Sequence, residues 1–156
     1  MSAAVPRLEL AFRIRVDMGD RQRFGMTPRG AVRGFTGAGG GIIEGPKLQG
    51  RVVPGSGGDY PLFRPDGTVE FNAHYLLQAS DGTMIYLHNI GYRHASPEVN
   101  ERMRLNEAVD SSQYYFRITP KFDAPVGPHD WLTRTIFVGS ADRREDHSVF
   151  DYYEVL

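Results

Sequence analysis

The clearest pattern lies near the start of the chain, where RLELAFRIRV over residues 7 to 16 alternates apolar and charged positions. Leu8, Leu10, Phe12, Ile14 and Val16 share one face, while Arg7, Glu9, Arg13 and Arg15 share the other, which is the two-residue period of a half-buried β-strand. Further strand-like runs are expected at about 31–36, 47–53, 68–79, 83–93, 113–119, 131–139 and 147–155, bounded by Gly, Pro, Asp or Asn. Only SPEVNERMRLNEA reads as a helix, with Ser96 placed as N-cap, Pro97 at the first helical position, and Val99 and Met103 four apart. Strands in succession without crossover helices imply an all-β domain, an antiparallel barrel or a sandwich, spanning residues 1–156 without an internal linker or repeat.

The hairpin around Asp81-Gly82 allows both faces to be written down. A two-residue turn there pairs Glu70 with Arg93, Asn72 with Gly91 and His74 with Asn89 on a polar face. The other face then pairs Phe71 with Tyr92, Ala73 with Ile90, Tyr75 with His88 and Leu77 with Tyr86. Either the polar face is wetted and the aromatic face is core, or the polar face lines a barrel cavity and the aromatic face packs outside. A three-residue bulged turn shifts this register.

The glycine-rich stretch GAGGGIIEGPKLQGRVVPGSGGDY, residues 37 to 60, raises the question of a phosphate loop. It has neither the Lys-Ser/Thr ending of a Walker loop nor a following helix, so its glycines are read as bulges and bends that carry Asp59 to the rim of a cavity. Eighteen basic against nineteen acidic residues leave a formal charge of -1, which argues against nucleic acid as a partner. With no cysteine, thiolate chemistry and zinc–cysteine sites are excluded, and the five histidines lack metal-binding spacing. No metal and no cofactor are therefore expected. The first residues lack a secretory pattern and no apolar run spans a membrane, so a cytoplasmic protein with no membrane partner is expected.

Four blocks carry a family resemblance: GGGIIEGPKLQGRVVPGSGGDYPLFRPDG, FNAHYLLQASDGTMIYLHNIGYR, YYFRITPKF and WLTRTIFVGSADR. In this order they resemble the family known as domain of unknown function 3237. The resemblance implies a single antiparallel β-barrel of the calycin or allene-oxide-cyclase-like kind with one short helix, able to hold a small hydrophobic molecule. It marks Asp59, Asn89, Gly91, Tyr115, Arg117 and Trp131 as family-typical positions. Two places depart from the family: Asn72-Ala73-His74-Tyr75 stands where Asp-Ala-Arg-Tyr is usual, and Trp131-Leu132-Thr133 where Trp-Leu-Asn is usual.

A pocket supplied with a carboxylate, an imidazole and apolar walls suits isomerisation, ring opening, elimination or cyclisation by proton transfer. Asp59 and His74 are accordingly the candidate acid and base, with Asn72, Asn89, Tyr115, Arg117, Trp131 and Thr133 as candidate substrate contacts. The expectation is a cofactor-independent isomerase or lyase acting on a small hydrophobic oxygenated molecule; the alternative is a noncatalytic ligand-binding barrel. Each residue also has a plainer role. Asp59 could close an Asx turn, His74 could be a hydrogen-bonded structural histidine, Arg117 could pair with a carboxylate, and Trp131 could be core. Outward Tyr75, Tyr86 and Tyr92, with Phe150, Tyr152 and Tyr153, would form an apolar patch that a homo-oligomer, most simply a dimer, would cover.

Overall fold

Two long strands carry the N-terminal part of the fold in the computed structural model, which describes residues 1–156. β1 (Leu8–Met26) pairs antiparallel with β2 (Val32–Glu44), so β-structure runs well beyond the alternating segment and into the glycine run. Three short strands follow: β3 (Gly50–Val52), β4 (Gly58–Asp59) and β5 (Leu62–Phe63). The long hairpin of β6 (Val69–Ala79) and β7 (Met84–Ala95) precedes the helix α1 (Pro97–Arg104), and β8 (Tyr114–Asp123), β9 (Phe137–Arg143) and β10 (His147–Val155) complete the chain. Each strand from β6 to β10 pairs antiparallel with the next, β10 pairs with β1, and β3, β4 and β5 each bridge β2 to β6. The ring is thereby closed into an antiparallel barrel without a free edge along its long strands.

The helix forms where its signals lie. The Ser96 side chain accepts a hydrogen bond from the Val99 N–H, and Pro97 occupies the first turn. It is shorter than the polar run that follows it, because only Met103 of its residues is buried and nothing rewards further turns. Asn100 ties it down by donating from Nδ2 to the Gly67 carbonyl at 3.2 Å.

Two expectations about which side chains face inward are corrected. In β1 the register against β10 shifts between Leu10 and Phe12. A bulge adds one residue and turns the alternation over. Phe12 and Ile14 point inward and are wholly buried, whereas Leu8 and Leu10 lie exposed on the outside. In the β6–β7 hairpin the turn has three residues, Ser80-Asp81-Gly82, with Gly82 at φ 91°. Pairs move by one position, so that Ala73 faces Asn89, His74 faces His88 and Tyr75 faces Leu87. The inner face therefore combines the apolar set of β6 with the polar set of β7, a pairing that neither sequence-based arrangement contained. Tyr75, Phe150 and Tyr152 face inside the barrel, which removes them from the expected outward aromatic patch.

The expected strand at 131–139 also begins late. Residues Asp130–Arg134 form a 3-10 turn that sets Leu132 into the core and brings Trp131 to 5.8 Å from Phe137. This end of the barrel is filled. Phe12, Phe122, Phe137 and Tyr152 meet in edge-on and tilted contacts, including Phe122–Phe137 at 5.2 Å and Phe12–Tyr152 at 5.3 Å. Truncating a ring such as Phe12 here would cost about 3–5 kcal/mol, from lost burial and the void left behind. No helix is long and apolar enough to cross a membrane.

Candidate functional site

The end of the barrel beside α1 is hollow. It holds a cavity of about 550 Å³ walled by Phe35, Phe71, Phe116 and Phe150, with Met103 of α1 contributing from above. That volume suits a small organic molecule of a few fused rings. Phe71 and Phe116 stack on each other at 4.6 Å and form one aromatic pair in the wall.

Asp59 reaches this cavity through the tight bridging strand β4. Gly58 makes the crossing possible: a Cβ there would lie on the Thr36 carbonyl oxygen and 2.7 Å from the Phe35 ring. Asp59 pairs with Thr36 of β2 on one side and Ala73 of β6 on the other, and Ala73 pairs in turn with Asn89 of β7. Residues directly opposite in antiparallel strands share a face, so Asp59, Ala73 and Asn89 form an inward row. Two strand spacings separate the ends of the row, about 10 Å, with only a methyl group between them.

Burial raises the Asp59 pKa from 3.8 to about 6. A hydrogen bond accepted by Oδ1 from the Asn72 N–H at 2.8 Å, and the charges of Arg93 and Arg33, pull the other way without cancelling it. Asp59 is thus a carboxylic acid poised to hold or release a proton near neutral pH.

Two other polar groups of the hollow are unusual in lacking partners. Asn89 is buried with its Oδ1 unpaired, and so is Arg93 Nε, while the buried hydroxyls of Tyr75 and Tyr152 face each other. Burial raises the Tyr75 pKa and lowers that of Arg93 to about 10. Buried polar groups in folded proteins are nearly always paired, so two open ones at one cavity mark a place built to receive something.

Of the candidates named from the sequence, the fold brings Asp59 and Asn89 together here and leaves the others elsewhere. His74 is on the outer face, stacked on His88 at 4.0 Å and bonded to the Tyr86 hydroxyl and Asn72 Oδ1. β6 turns its apolar set inward, which puts His74 there, and the expected Asp59–His74 acid–base pair does not share a cavity. Asn72, Tyr115 and Arg117 line a separate groove on the outer wall with Ile90 and Tyr92. Arg117 there donates to the Phe116 carbonyl at 3.0 Å and lies over the Tyr115 ring. Trp131 packs at the filled end, and Thr133 donates to the Asp130 carbonyl at 2.7 Å within the same turn. Arg93, Tyr75 and the phenylalanine wall were not singled out. Parity alone could have found Arg93, since it lies four residues from Asn89 on one strand face.

Comparison with known proteins agrees with this architecture. The chain matches the family described as "Protein of unknown function (DUF3237)" over residues 6–155. It belongs to that family. A relative from Rhodopseudomonas palustris (strain ATCC BAA-98 / CGA009), UPF0311 protein RPA1785, is 35% identical over 117 residues, covering 75% of this chain and 76% of that protein. A crystal structure described as a beta-barrel like protein, from Acinetobacter baumannii AYE, superposes with a TM-score of 0.86 at 31% identity, covering 99% of each chain. A further relative, named hydroalkoxylation enzyme phnH, from Penicillium herquei, is 32% identical over 116 residues, covering 74% of this chain and 62% of that protein.

Proposed function

We propose that this barrel is an enzyme that adds a hydroxyl group across a carbon–carbon double bond within one small hydrophobic molecule, closing an oxygen ring without a change in mass. The observation that carries the reading is a carboxylic acid with a pKa of about 6 set in an aromatic cavity. The relative named as a hydroalkoxylation enzyme supports it, because that name describes the same bond change.

Asp59 acts as the acid. Its O–H bond breaks as a C–H bond forms at one alkene carbon, using the π electrons and leaving the neighbouring carbon electron-poor. The faces of Phe71, Phe116 and Phe150 stabilise that positive charge. The substrate hydroxyl oxygen forms the new C–O bond, and its proton returns to the Asp59 carboxylate, so the acid is restored and no electrons are gained or lost. Asn89 Oδ1 is an open acceptor that can hold the hydroxyl O–H in place before attack. Ala73, lying between Asp59 and Asn89, leaves room for the reacting carbons.

The test is turnover of an aryl alcohol bearing an alkene arm, such as 2-allyl-1-naphthol, in deuterated water, with Asp59→Asn alongside. The expected product is a cyclic ether isomer with one carbon-bound deuterium per turnover, lost in the folded variant. Saturable binding without product would move the protein to the noncatalytic carrier reading. A variant as active as the parent would remove Asp59 from the chemistry.

A further inference from the structure

Arg93 is the least explained charge in the molecule. It stands on β7 with its side chain in the hollow half, across the ladder from Val69 on one side and Phe116 on the other. Its Nε is shielded from water and bonded to nothing, and no carboxylate comes within ion-pairing distance of its guanidinium. The guanidinium lies 5.4 Å from the Phe71 ring centre and 5.7 Å from that of Phe116, beside the stacked pair. Arg93 is half-buried, and a half-buried cation without an ion-pair partner persists where something else supplies the opposite charge.

The surroundings add positive charge. Arg143 also lines the cavity, held by a bond from Nη2 to Asn106 Oδ1 at 3.0 Å, and Arg23 lies over the Phe63 ring at 4.0 Å. Arg64 and Arg104, nearer the mouth, are already paired with Asp66 and Glu101. Of the two carboxylates lining the hollow, Glu101 is taken by Arg104, so only Asp59 is left to oppose Arg93, Arg143 and Arg23, and the proposed chemistry needs it protonated. The electrostatic balance of the occupied site therefore lacks an anion.

We propose that Arg93, reinforced by Arg143, anchors an ionised oxygen on an aromatic substrate, so that the ligand class is an aryl carboxylate, phenolate or enolate whose ring lies against Phe71 and Phe116. This refines the reading of the cavity as the substrate site of the reaction above. It also links binding to catalysis. The Arg93 charge is one of the influences that lower the Asp59 pKa, so an anion that neutralises Arg93 leaves Asp59 protonated to higher pH. A substrate of this class would sustain the acid that acts on it.

The test is calorimetric titration of the full chain with 2-naphthoate and its uncharged isostere 2-naphthamide, using the parent, Arg93→Gln and Arg93→Lys. The parent is expected to bind the naphthoate at least about tenfold more tightly than the amide, as a charge-assisted bond in a shielded site would give. Arg93→Gln should erase that preference while keeping its amide affinity, and Arg93→Lys should retain part of the preference. Retained amide binding in Arg93→Gln shows that the variant is folded with its cavity intact. Equal affinity of the parent for both probes, equal weakening of both in Arg93→Gln, or no binding of either would overturn the proposal. Binding is read without turnover, so the anion anchor can fail while ring closure on an uncharged substrate succeeds, and the reverse is equally visible.

Discussion

Replacing Asp59 with Asn should make the protein more stable at alkaline pH, and the size of the gain follows from the site. Asp59 ionises near pH 6 in the folded chain against 3.8 for an unburied carboxyl. Holding the ionised form in the barrel above pH 6 therefore costs the native state about 3 kcal/mol relative to the open chain. The sign follows from proton counts: between about pH 4 and 6 the folded state binds more protons than the unfolded one, so this group's contribution is full at low pH and is lost as pH rises through about 6. Asparagine has no such ionisation, and its Oδ1 can still accept from the Asn72 N–H. Thermal melts at pH 8 should place the variant roughly 6–12 °C above the parent, given the usual 2–4 °C per kcal/mol for a chain of this size. By pH 4 the gap should have shrunk to a small fraction. Other titrating groups are common to both proteins and cancel in the difference. A gap that is absent at pH 8, or equal at the two pH values, would show that Asp59 is well solvated and would remove the basis for its role as acid.

Three further outcomes follow from the same structure. The kcat/KM of the parent should fall as pH rises through about 6, where free Asp59 loses its proton, and a profile flat from pH 5 to 8 would count against a carboxylic acid donor. His74→Ala should leave turnover within about twofold, because the ring is on the outer wall beside His88 and Tyr86; a large loss would place the chemistry outside the barrel. Gly58→Ala should cost at least about 2 kcal/mol in denaturant unfolding, since its methyl group has no room between β2 and the Phe35 ring, and a neutral result would refute the tight crossing that delivers Asp59.

The fold was largely legible because its signals are local. Alternation in residues 12 to 16, the Ser96-Pro97 start and the strand runs at 68–79, 83–93 and 147–155 each depend on neighbours within a few residues, and each corresponds to an observed element. The blocks that resemble the family supplied closure into a barrel, which no local pattern encodes. The site was only half legible for a geometric reason. A strand pattern gives the parity of side chains but not how two strands slide past one another, and that depended on whether Asp81-Gly82 made a two- or three-residue turn. One residue of slip set His74 opposite His88 on the outer face and brought Tyr75 and Phe71 into the company of Asn89 and Arg93. The bulge after Leu10 acted similarly on β1, because an inserted residue keeps the composition of a strand while exchanging its faces.

The division of the barrel into a packed end and a hollow end has an evolutionary consequence. Rings such as Phe12, Phe122 and Phe137 hold the strands in place at one end, so side chains at the other can change without dismantling the scaffold. Ala73 is the position where such drift would matter most. A larger residue there would intrude between Asp59 and Asn89 and narrow the cavity while leaving the Asp59 carboxyl untouched. Barrels of this kind can thus reshape their cavities by exchanging a few inward residues near the helix, with the aromatic end serving as the inherited part.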